Sequence, residues 1–142
     1  MNTKSVVLFG VLIIAAAVGW LFFGKKEAPQ EISLTSQTSS EGGVDVEVIP
    51  VGVSESSTKW RFDIVLNTHS VELDQDMVQI AILKDDKGNE FLPLAWEGAV
   101  PGGHHREGTL IFPALTTSAS KITLILNDIG EVPERNFSWE LK

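Results

Sequence analysis

The chain has 142 residues, a formal net charge of −8 at pH 7 and no cysteine. The missing thiols exclude disulfides, a lipid-modified N-terminal cysteine, thiolate metal sites and a cysteine nucleophile. The acidic balance argues against nucleic acid and anionic lipid headgroups as partners, and it sharpens beyond residue 26, where 8 Lys and Arg face 19 Asp and Glu.

The first element is the uncharged run from Ser5 to Gly24, bounded by Lys4 and by Lys25 and Lys26. At about 1.5 Å per residue it makes a helix of roughly 30 Å, the thickness of a bilayer's hydrocarbon core. Residues 1–24 are therefore read as one N-terminal transmembrane helix whose lipid contacts come from Val6, Leu8, Leu12, Ile13, Val18, Trp20, Leu21 and Phe22. A cleaved export signal is the competing reading, since Ala15, Ala16 and Ala17 are small. The apolar stretch runs past them to Phe23, which favours an uncleaved anchor. Lysines flank both ends, so charge leaves the orientation open. A lone anchor ahead of a compact domain points to a single-pass cell-membrane protein with its C-terminal domain outside the cytoplasm.

Residues 25–42 are polar, rich in Ser, Thr, Gln and Glu, and read as a flexible stalk. Residues 43–142 then read as one all-β domain. Val44, Val46 and Val48 alternate with Asp45 and Glu47, and Trp60, Phe62, Ile64 and Leu66 alternate with polar neighbours, the period of a strand with one buried face. Further strands are predicted at Met77–Lys84, Glu90–Trp96, Gly108–Phe112, Lys121–Leu126 and Asn136–Leu141, separated by turn residues. Seven short strands in about a hundred residues predict an immunoglobulin-like sandwich without the disulfide.

Successive antiparallel strands reverse direction, so alternate loops share an end of such a sandwich. The three longest and most polar connections, residues 68–76, 97–105 and 127–135, are expected at one pole, where the stalk is also expected to enter. This pole collects all three histidines, His69, His104 and His105, with Glu72, Asp74, Asp76 and Glu97. Imidazoles and carboxylates together suit copper or zinc, and carboxylates alone suit calcium. His104 and His105 are sequence neighbours, however, and reach one ion only if Gly102 and Gly103 bend the backbone. The bland alternative is that the loop acids cap turns and the glycines supply unusual dihedrals. Ser70, His69 and Asp74 sit in one short loop with no oxyanion-type turn, so they make a poor catalytic set.

The anchor, the stalk and the stretch from Asp85 to Phe112, in which DDKGNEFLPL leads to PGGHHREGTLIF, resemble the small exported bacterial proteins that pair one membrane anchor with one immunoglobulin-like sandwich. That resemblance implies a binding or assembly module of the cell envelope and transfers no active-site residues. The expected function is thus a non-enzymatic, membrane-anchored domain that presents an acidic, histidine-containing pole to a protein partner. A metal-binding envelope domain using the same pole is the alternative.

Overall fold

The computed structural model describes residues 34–115 and 118–141. The predicted anchor and the stalk residues before Leu34 lie outside the described residues, and among the described residues no helix is long and apolar enough to cross a membrane. Among the described residues nine strands form in chain order: β1 Gln37–Glu41, β2 Val44–Pro50, β3 Lys59–Thr68, β4 Ala81–Asp85, β5 Glu90–Phe91, β6 Ala95–Gly98, β7 His105–Pro113, β8 Lys121–Ile129 and β9 Val132–Glu140. One helical turn, α1 Met77–Ile80, precedes β4.

The strands build two antiparallel sheets, ordered β1-β2-β3-β7-β6 and β5-β4-β8-β9. The two-residue period of β3 buries Trp60, Phe62, Ile64 and Leu66 and leaves Arg61, Asp63 and Val65 on the outer face. Both sheets contribute to the core. Phe62 meets Phe112 of its own sheet edge-on at 5.9 Å and Trp139 of the opposite sheet at 5.6 Å, separations typical of favourable ring pairs.

Three predicted elements change. Residues 37–41, read from the sequence as the end of the stalk, form β1; these polar residues suit an edge strand, a role that hydrophobic periodicity cannot flag. The predicted strand at 77–84 opens instead as α1, because Asp76 caps the turn by accepting from the Val78 amide at 3.0 Å, and becomes a strand only from Ala81. The predicted strand at 90–96 divides into β5 and β6, which belong to different sheets. Pro93 between them is buried and has no N–H to continue a ladder.

The extra strand reverses the place where the chain comes in. Because β1 runs antiparallel to β2, with Gln37 beside Val48 and Glu41 beside Val44, the chain reaches the domain at the end where Thr35 accepts a hydrogen bond from the Trp139 indole at 2.7 Å. That end is opposite the one carrying loop 69–76. The described chain therefore begins at the end away from the histidine-bearing pole and reaches that pole only at the close of β1.

Candidate functional site: an acidic pole held by buried arginines

Two tight hairpins and two longer loops meet at the pole. In the turns Gly42-Gly43 and Gly130-Glu131 all four residues have positive φ, between +54° and +73°, as a two-residue type I′ hairpin demands. The turns abut so closely that a Cβ on Gly42 would lie 1.8 Å from the Gly130 carbonyl oxygen. Gly43 joins the neighbouring loop, its carbonyl accepting from the Thr68 hydroxyl at 2.7 Å, while that same hydroxyl accepts from the amides of Ser70 and Val71 at 3.2 Å.

Loop 69–76 is in turn bonded to loop 99–104. Thr68 N–H donates to His104 O at 2.9 Å, Leu73 N–H to Gly103 O at 3.0 Å, and Gly102 N–H to Leu73 O at 2.7 Å. Glu72 accepts from the Gly103 amide at 2.7 Å. The Gln75 side-chain amide reaches Asp128 O on the far sheet at 3.3 Å. The expected convergence of the three polar connections is therefore present.

Its foundation is a pair of arginines that strand parity turns inward. Arg106 follows the buried-face register of Gly108, Leu110 and Phe112, and it is 1% exposed. Its guanidinium donates to the carbonyls of Leu73 at 3.1 Å, Gln75 at 2.8 Å and Ala99 at 3.2 Å, and lies 5.7 Å from the centre of the Trp96 ring. One cation thus ties both loops to the sheet, using the forked donors that lysine lacks. Arg135, 2% exposed, makes the matching clamp on the other side. It donates to Glu41 O at 2.6 Å, Ile129 O at 3.1 Å, and both the carbonyl and hydroxyl of Ser39. Burial lowers the pKa of each guanidinium, and nearby acids oppose that shift: Asp76 and Asp74 for Arg106, Glu41 and Asp45 for Arg135. Both remain charged at any physiological pH. A cation seated beneath each acidic rim offsets part of the repulsion among its carboxylates.

Of the sequence-predicted site residues, His69, Glu72, Asp74, Asp76 and His104 lie in the converging loops, and all are exposed. Glu72 and Asp76 are already engaged with backbone amides. The other two depart from the expected cluster because each belongs to a strand. His105 starts β7 on the outer face of the sheet, where Nδ1 meets the Asn67 side chain and Nε2 lies 3.7 Å from Glu107. Glu97 belongs to β6 and pairs with Arg61 at 3.4 Å. Among the described residues, no three His, Asp or Glu side chains are placed to hold one metal ion.

Sequence reading missed Arg106 and Arg135. The signal was available in parity: extending the alternation of Phe137, Trp139 and Leu141 back two residues puts Arg135 on the buried face, and the same step back from Gly108 puts Arg106 there. Comparison with protein-family models, with curated proteins and with solved structures finds no match.

Proposed function

We propose that this chain is a non-enzymatic, membrane-anchored extracytoplasmic binding module that presents its acidic loop pole to a protein partner. The observation carrying this reading is the arginine-pinned pole itself, a loop surface held rigid from beneath at the end of the domain opposite to where the chain comes in. Loops fixed before contact lose less conformational freedom on binding. The immunoglobulin-like reading is supported by strand order: β2-β3-β7-β6 against β4-β8-β9 follows the A-B-E-D and C-F-G arrangement, with β1 and β5 as additions.

Photo-crosslinking tests the reading. A benzophenone side chain placed at Glu72 or His104 of the full chain in its native membrane is expected to give the same adduct of defined mass. Ser56, at the opposite end, is expected to give none. Adducts from Ser56 alone, or the same adducts from all three positions, would contradict a working surface at the pole.

A further inference from the structure

Beside the acidic pole runs an edge of a different character. β6 is the terminal strand of its sheet and pairs only with β7. Ala99 N–H donates to Glu107 O at 2.9 Å, and the register sets Glu97 opposite Thr109. Antiparallel alternation then directs the N–H and C=O groups of Trp96 and Gly98 away from β7, toward the free side. This strand is short and carries Glu97, but it lacks a basic side chain. No Lys or Arg occurs between Gly88 and His105, although a lysine is a common means of discouraging edge pairing. Three of the four large hydrophobic residues that are exposed among the described residues instead flank it: Leu92 at 66%, Leu94 at 57% and Val100 at 79% exposure.

Charge indicates what covers this edge. Asp74 and Asp76 are near enough to act on Arg106, which itself stacks on Trp96 of β6, and Glu97 lies on the strand. Arg106 is consumed by carbonyls beneath the surface, and Arg61 is the ion-pair partner of Glu97. A second copy of this acidic domain would bring like charges together. The geometry points to an extended peptide segment of a protein partner, with apolar side chains alternating with Lys or Arg, adding as a strand to β6. Main-chain hydrogen bonds to Trp96 and Gly98 would hold it, Leu92, Leu94 and Val100 would take its apolar side chains, and the neighbouring carboxylates would select its charge. This assignment rests on the binding-module reading and supplies the chemical class of the partner.

The test uses the full chain in zwitterionic micelles with blocked peptides of alternating valine and lysine, or valine and glutamate, followed by amide NMR. The lysine peptide is expected to shift the amides of residues 95–100 and slow exchange at Trp96 and Gly98, while the glutamate peptide leaves them unchanged. The double variant Leu94→Lys, Val100→Lys alters only exposed side chains and is expected to weaken the lysine peptide about tenfold or more. Equal response to both peptides, shifts confined to β1 and β9, undiminished binding by the folded double variant, or no binding at millimolar peptide would each overturn strand addition at β6. Crosslinks from Glu72 and His104 that persist after such a result would leave the pole reading standing, so the two proposals fail separately.

Discussion

The two long sides of this sandwich are finished in opposite ways. On one side β1 covers the margin of β9: the Gln37 amide group behaves as a piece of strand, donating to Ser138 O and accepting from Ser138 N at 3.1 Å, while Arg135 reaches across to Ser39 and Glu41. On the other side β5 and β6 end their sheets, joined by a connection that exposes Leu92 and Leu94. The covering strand is polar and the open one is flanked by apolar residues, the reverse of what simple solubility favours. An edge closed with specific hydrogen bonds is a structural seam, and the edge left apolar beside an acidic rim is the surface proposed for strand addition.

The comparison breaks most severely at Arg135. Arg135→Ala strips donors from the carbonyls of Ser39, Glu41 and Ile129. At about 1 kcal/mol or more for each hydrogen bond lost, a loss of about 3 kcal/mol is expected in urea unfolding, with β1 amides exchanging fast. On the open side the corresponding weak point is the Gly98–Gly108 pair beneath Trp96. A Cβ on Gly108 would lie 2.5 Å from the Gly98 Cα and 2.6 Å from the Trp96 ring. Gly108→Ala is expected to destabilise by about 1–3 kcal/mol and to disturb the indole fluorescence. Gln37→Ala sharpens the contrast at a smaller scale: about 1 kcal/mol of stability and faster exchange along β9, with β6 unaffected.

The smallest expected effect is one of pH, at the end opposite the acidic loops. The Ser120 hydroxyl donates to Asp86 at 2.9 Å and its amide at 3.1 Å, which holds that carboxyl below the usual range. Its folded pKa is below its unfolded one, so its stabilisation is complete above the unfolded value and disappears as pH falls through the folded value. Ser120→Ala is expected to make the acid limb of the thermal midpoint less steep below about pH 4, leaving neutral pH nearly unchanged. A full-strength acid limb in that variant would remove the assignment.

Where side chains are apolar, the fold was legible from sequence. Trp60 to Leu66 and Phe137 to Leu141 announce both strand and face by their alternation, and the grouping of three polar loops at one pole followed from strand parity. Residues 37–41 were opaque because they carry no apolar alternation: they pair with the β2 backbone across the Gly42-Gly43 turn and are held on their other side by Arg135 and the Ser138 backbone rather than by a hydrophobic face. Missing that single strand placed the incoming chain at the wrong end. The pole was half legible: the sequence placed His69, Glu72 and His104 in its loops, whereas the inward-facing Arg106 was not read, although its register with Gly108 and Leu110 puts it on the buried face.

Whether the acidic loops lie opposite the incoming chain is best tested by paramagnetic broadening, which the absence of native cysteine makes direct. A nitroxide on Ser36→Cys is expected to broaden the amides of Ile49, Trp139 and Leu141 and to spare Glu72, Gly102 and His104. Broadening of Glu72 and His104 with Trp139 left sharp would contradict the placement on which the proposed working surface depends.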